Sequence, residues 1–201
     1  MKILLVIIVS YVIGSIPFSH IFPKIKGQDV REKGTKNVGA TNAFVVGGPM
    51  MGALALIGDV TKGFLPVWLV QRFFSEPWLV VIAALAVMIG HVFPVFLNFR
   101  GGKAVATLGG VLFALDPFFG LAIFLLWILT ILITRYFIPS TLGVAALIPI
   151  FMAVLGFRIE YVIWGVLAFL LLVYTHRYDI QRLLAGEELT SVESVKKYLG
   201  K

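Results

Sequence analysis

The sequence predicts an all-α, polytopic integral membrane protein with seven transmembrane helices, its N-terminus outside and its C-terminus cytoplasmic. Three observations lead there. Of the 201 residues, 60% are hydrophobic and only 13% charged, with a mean hydropathy of +1.00; a soluble core of this size cannot hide so much apolar surface. The apolar residues fall into long runs near the roughly 20 residues that one helical crossing needs. The basic residues then alternate strongly in side when those runs are counted as crossings.

The first run, residues 3–22, stands behind Lys2, and no A-x-A-like cleavage site follows it, so it is read as a retained span. Within it, Gly14, Ser15 and Pro17 suit a kink or close helix packing. A basic segment, residues 23–41, leads to a second run at 43–70, and a third covers 78–99. Residues 104–134 hold a single charge, Asp116, and are too long for one crossing. Asp116 as N-cap and Pro117 as first helical residue divide them into two short helices. Residues 137–157 and 161–174 complete the set. Residues 1–186 read as one membrane-embedded domain and 187–201 as a polar cytoplasmic tail.

Seven crossings place thirteen of the 17 Lys and Arg residues on one side and Lys2, Arg72 and Arg158 on the other, with Lys62 inside a span. One helix over 104–134 would divide the same charges eight against eight. The positive-inside bias therefore selects the odd number and puts two loops, residues 23–41 and 98–103, in the cytoplasm. A re-entrant hairpin at 104–134 would keep that sidedness with five crossings. Cysteine is absent, which removes disulfides, thiolate nucleophiles and thiolate metal sites.

Four segments carry candidate chemistry. Gly101, Gly102 and Lys103 stand directly before a helix; glycine amides, the helix N-terminus and one full positive charge make an anion site, with phosphate as the natural guest. Residues 34–42, GTKNVGATN, are dense in hydrogen-bonding groups and can wrap a polar ligand, or form a loop capped at Thr41 or Asn42. Asp59 and Lys62 lie at i and i+3 inside an apolar run, so they pair with each other or face a polar cavity. His176 and Arg177 end the last span on the cytoplasmic side, where they can orient a hydroxyl or phosphate or anchor the helix. His91 reads as a packed, hydrogen-bonded helix residue. No H-x4-D pair, CDP-alcohol phosphotransferase motif, metal-ligand cluster or G-x-S-x-G elbow is present, so hydrolase and metalloenzyme readings have no support.

Taken together, the blocks resemble the bacterial acyl-phosphate:glycerol-3-phosphate acyltransferases of the PlsY type. Gly14-Ser15-Ile16-Pro17, residues 34–42, GDVTKG with Pro66, GHVFPVFLNFRGGKAVAT from Gly90, Arg135-Tyr136 and HRYDIQRLLAGEE from His176 occur in the family's order. The resemblance implies transfer of a fatty acyl group from acyl phosphate to the sn-1 hydroxyl of glycerol-3-phosphate, the first step of phospholipid synthesis, giving 1-acyl-glycerol-3-phosphate and phosphate. It implies a monomer in the bacterial inner membrane in contact with lipid, with the active site facing the cytoplasm, no cofactor, no metal and no nucleic-acid partner. By matching position, Lys103, His176, Asn37 and Thr35 would be catalytic. Gly101, Gly102, Thr41, Asn42, Thr141, Lys62 and Arg177 would bind substrate, and Lys36, which departs from the family pattern, is expected to join them as a cation.

The chain also departs from the family pattern. The usual GSGN reads GTKN, which puts Thr35 at a serine position and Lys36 at a glycine position; Val45 stands where an arginine is usual, Asp179 where an asparagine is usual, and Thr141 where a serine is usual. Lys36 is expected to supply the charge missing at Val45, and Arg177 or Arg182 to neutralise Asp179. These exchanges leave two competing readings: transfer to another polyol phosphate, and a non-enzymatic membrane protein that binds or carries an anion or acyl phosphate.

Overall fold

The structure, a computed structural model, describes residues 1–190 together with Glu193, Ser194, Lys196 and Lys197. Lys201, counted among the cytoplasmic cations, and part of the 187–201 tail lie outside the described residues. Among the described residues the secondary structure is entirely helical, and they fall into two compact units, Met1–Gly120 and Leu121–Lys201.

The first unit begins with α1, Lys2–Ser15, and α2, Phe18–Ile25. Pro17 separates them: the residue before a proline is driven out of the α region, and Ile16 is extended at ψ 115°. The predicted kink is therefore a full break. The predicted run at 43–70 is also broken, into α3, Ala40–Gly47, and α4, Pro49–Phe73. Gly48 turns the chain at φ 87°, in the region that favours glycine, and Pro49 opens α4 at its first position. After α5, Pro77–Val92, the chain leaves α geometry at Phe93-Pro94 and makes a single 3-10 turn over Val95–Leu97. The helix α6, Val105–Leu115, follows. Its neighbour α7, Pro117–Thr134, starts as predicted, with Asp116 Oδ1 accepting the amide of Phe119 at 2.7 Å.

Close backbone approach holds this unit together. Helix α1 packs on α5, and α4 packs on α2, α3, α5 and α6. A Cβ on Gly14 would strike the carbonyl of Val87, and one on Gly90 the carbonyl of Tyr11, so α1 and α5 meet reciprocally through glycine. The same relation joins α4 to α6, through Gly63 against Thr107 and Gly110 against Val60. In an apolar solvent such contact depends on dispersion rather than on the hydrophobic effect, and small residues maximise it.

The second unit contains most of α7, then α8, Phe137–Val154, α9, Ile159–Thr175, and α10, Arg177–Leu184. Helices α8 and α9 pack against one another around the buried Ile148, Met152, Trp164 and Leu172. At His176 the axis bends by 65° into α10. Among the described residues, five helical segments are long and apolar enough to cross a membrane, at residues 2–25, 49–73, 77–97, 117–134 and 137–154, and α9 with α10 makes a sixth if that bent pair is one span. Helix α6 has 11 residues and so rises only about 17 Å.

Candidate active site

The loop from Asn98 to Ala104 has an unusual backbone. Asn98, Phe99 and Ala104 all lie in the left-handed region, at φ 51°, 60° and 61°, a conformation that costs a non-glycine residue on the order of 1 kcal/mol. Gly101 donates its amide to Val92 O at 3.0 Å and Gly102 donates to His91 O at 3.2 Å. Those carbonyls belong to the last turn of α5, which has no intrahelical donor for them. The two amides expected to face an anion therefore cap α5 instead. The glycines are required by space: a Cβ at Gly101 would collide with His91 O and Pro94, and one at Gly102 with Val38 O and the His91 ring. The first amides of α6, Val105 to Thr107, have no intrahelical acceptor, the first such bond running from Leu108 N to Ala104 O at 2.8 Å, and Lys103 stands directly before them.

The preceding loop, residues 26–39, is organised from within. Asp29, 8% exposed, receives Arg31 through its amide at 2.9 Å and through its guanidinium at 3.1 and 2.7 Å. Lys24 lies 3.6 Å away. The Arg31 guanidinium holds the Asp29 carboxyl well below the usual carboxylate range. Asn42, 1% exposed in the first turn of α3, accepts the amide of Thr35 at 2.8 Å. Its Nδ2 donates to the carbonyls of Val30, Asn37 and Lys33 at 2.7, 3.0 and 3.2 Å. The side chain of Asn42 is thus the hub of this loop rather than a helix cap, which is Gly39. Asn37 N meets Thr35 Oγ1 at 3.4 Å, and Thr41 is exposed.

The two loops meet. Val30, Val38 and Leu97 form one buried cluster, and Gly102 lies on the carbonyl of Val38. Between them opens a cleft of about 700 Å³ lined by Arg31, Lys36, Asn98, Arg100 and Gly101, with Glu32 as its acidic group. Lys36 stands in the left-handed region at φ 59°, and neither its side chain nor that of Arg100 makes a hydrogen bond or ion pair with a described residue.

Lys62 and Asp59 pair at 2.8 Å, both nearly inaccessible. Lys62 also donates to Ile16 O at 2.8 Å, at the break between α1 and α2, and Ser19 donates to Asp59 Oδ2 at 2.6 Å. Its ammonium is committed to the fold at two acceptors.

In the second unit, His176 is fully buried and its Nδ1 lies 2.8 Å from Leu172 O. A carbonyl only accepts, so Nδ1 carries the proton of that bond. Arg177 lies over the rings of Tyr174 and Tyr178, at 4.5 and 4.4 Å, and donates to Tyr174 O. Asp179 is buried and paired with Arg182, which also reaches Glu188 at 3.1 Å; of the two candidate arginines, Arg182 neutralises it. Thr141 accepts from the indole of Trp127 at 3.0 Å and donates to Phe137 O at 2.8 Å. Among the described residues no three His, Asp or Glu side chains gather as a metal-ligand group.

A family profile described as glycerol-3-phosphate acyltransferase matches residues 4–186. The chain is 45% identical over 192 residues to a glycerol-3-phosphate acyltransferase of Burkholderia pseudomallei strain K96243, covering 94% of this chain and 95% of that one. It is 41% identical over 186 residues to one of Thermotoga petrophila, covering 90% and 92%. Among solved structures it is similar to PlsY, an integral membrane glycerol 3-phosphate acyltransferase. The glycerol 3-phosphate form matches with a TM-score of 0.89 and 36% identity, covering 94% of this chain and 96% of that one. The lysophosphatidic acid form matches at 0.88 and 34%, covering 97% and 99%. With its motifs in order along nearly the whole chain and this agreement in fold, the chain belongs to the glycerol-3-phosphate acyltransferase family.

Proposed function

We propose that this protein is a membrane acyltransferase that moves a fatty acyl group from acyl phosphate to the sn-1 hydroxyl of glycerol-3-phosphate. The observation that carries the reading is the junction of the two polar loops: a cleft lined by Arg31, Lys36 and Arg100 opens beside the Gly101–Lys103 turn, in a chain whose similarity to PlsY spans 94% of its length. Both substrates are phosphorylated, and both need cations. In the reaction the hydroxyl oxygen forms a bond to the acyl carbon, and the bond from that carbon to the phosphate bridging oxygen breaks. The hydroxyl proton passes to the departing phosphate, so no protein base is required. An acyl phosphate is already activated, and positioning with charge neutralisation supplies the rate.

In this reading Lys103 neutralises phosphate, with Gly101 and Gly102 allowing the close turn that presents it. Thr35, Asn37 and Thr41 line the pocket on a loop whose shape Asn42 fixes, and Lys36 adds a cation at its mouth. His176, with its Nδ1 proton tied to Leu172 O, and Thr141 contact the glycerol moiety, with Arg177 following His176 at the start of α10; Lys62 serves the fold. Residues 1–186 act as one membrane-embedded domain, a monomer in the bacterial inner membrane with seven crossings. The acyl chain lies among its helices, and the two loops, the active site and the 187–201 tail face the cytoplasm.

The test is phosphate release by the purified full-length protein in detergent, supplied with palmitoyl phosphate and glycerol-3-phosphate beside other polyol phosphates. Release is expected to require both substrates, to favour glycerol-3-phosphate, and to fall about a hundredfold in Lys103→Ala, as removal of a charge-stabilising group does. Faster release with another polyol phosphate would reassign the acceptor. Absence of release with every acceptor would remove the enzymatic reading.

A further inference from the structure

One polar cluster in the first unit takes no part in the chemistry above, yet its contacts end on the loop that presents Lys103. His91 lies in the last turn of α5, 6% exposed. Its carbonyl accepts the amide of Gly102 at 3.2 Å, and its ring lies against Gly102 so closely that a Cβ there would overlap Nε2. Its Nδ1 meets Thr107 Oγ1 at 3.1 Å. Thr107 is fully buried in the first turn of α6, directly beyond Lys103 and Ala104. The loop is therefore tied on both sides of Lys103, once at Gly102 and once at Thr107, and both ties end on His91.

A carboxylate lies beside the ring, beyond hydrogen-bond distance. Asp59 Oδ1 stands 3.7 Å from Nδ1, and Asp59 is anchored by Lys62 at 2.8 Å and by Ser19 at 2.6 Å. A cavity of about 10 Å³ separates this charged group from the loop, lined among others by Ser19, Asp59, Lys62, His91, Gly101 and Gly102. An apolar residue would fill the space of the imidazole, but it would leave the Thr107 hydroxyl buried with its partner lost.

We propose that His91 and Thr107 are positioning residues: together they fix the course of the loop on both sides of Lys103 and so set where its ammonium stands. The inference rests on the reading of that loop as the phosphate-holding element. The geometry supplies the reason a built tie is needed here, since Asn98, Phe99 and Ala104 all hold left-handed backbone, which a free loop of such residues abandons.

The experiment measures kcat and KM for both substrates in the full-length protein in detergent, for Thr107→Val, Thr107→Ser, Lys103→Ala and the double variant Lys103→Ala/Thr107→Val. Thr107→Val is expected to lower kcat/KM by roughly ten- to a hundredfold, the cost of displacing a catalytic group by about 1 Å, while Thr107→Ser restores it. In the Lys103→Ala background Thr107→Val is expected to cause no further loss, because a residue acting through Lys103 has nothing left to position. A general weakening of the fold would instead multiply the two losses, and that result overturns the inference. So does full activity in Thr107→Val. If Thr107→Val does not fold, His91→Asn, which keeps a polar group near the Nδ1 position, is compared with His91→Phe, which keeps only the ring; equal activity in these two overturns the inference as well. Loss in Lys103→Ala with none in Thr107→Val removes the positioning role alone, whereas an unaffected Lys103→Ala removes the phosphate-loop reading and the inference with it.

Discussion

Lys36 combines two opposed effects in one residue. Its φ of 59° places it where a side chain costs on the order of 1 kcal/mol and glycine costs little, which is the physical sense of the glycine that the family pattern carries there. The lysine nevertheless adds a cation to a cleft already lined by Arg31 and Arg100. Lys36→Gly is therefore expected to move stability and binding in opposite directions. Thermal melts should show a midpoint unchanged or raised by a few degrees, as relief of about 1 kcal/mol gives in a chain of this size. Steady-state kinetics should show the KM for glycerol-3-phosphate rising about fivefold, the worth of roughly 1 kcal/mol from a solvent-exposed ion contact. An unchanged KM would mean that Lys36 does not meet the substrate.

At the scale of elements, α4 brings a carboxylate and an ammonium into a membrane-spanning helix. Asp59 and Lys62 are one turn apart, and they satisfy each other, Ser19 of α2 and the carbonyl of Ile16 at the α1–α2 break, which also accepts the amide of Phe18 at 3.2 Å. The proline break and the buried lysine thus fit one another: the break takes the Ile16 carbonyl out of the helical ladder, and Lys62 donates to it at 2.8 Å beside the Phe18 amide. Removing one partner leaves an uncompensated buried charge, at a cost of about 3 to 5 kcal/mol, whereas neutralising both costs far less. Lys62→Met is expected to melt well below the wild-type protein in detergent, and Asp59→Asn/Lys62→Met to recover most of the loss. A double variant less stable than Lys62→Met would show that the pair is not the unit that matters.

For the whole molecule, the basic residues predict the orientation: with seven crossings, thirteen would fall on the side of the two polar loops and three on the other. Because the chain has no cysteine, single introduced thiols report sidedness without background. Arg158→Cys is expected to react in intact cells with a maleimide that cannot cross the membrane, and Lys36→Cys and Arg100→Cys only after the cells are opened. Gly102 is unsuitable as a reporter, since a Cβ there collides with Val38 O and the His91 ring. Reaction of Lys36→Cys in intact cells would invert the topology.

The features already legible in the sequence are those that act within one turn or along one run of chain. Apolar length marks the spans, Asp116 and Pro117 start α7, and Asp59 and Lys62 pair because i and i+3 share a helix face. At Pro17 the sequence suggests only a kink, and residues 43–70 read as one run across Gly48, since a permissive residue does not require a break. Other features belong to the tertiary structure because their partners lie far apart in sequence. Asn42 closes a loop by reaching Val30, Ser19 reaches Asp59 across two helices, and Gly101 and Gly102 spend their amides on the end of α5 rather than on an anion. Spacing identified the Gly-Gly-Lys turn, but not what holds it. The carbonyls left open at a helix end must be paired when buried, and only the packing of α5 beside that turn decides which amides pair with them.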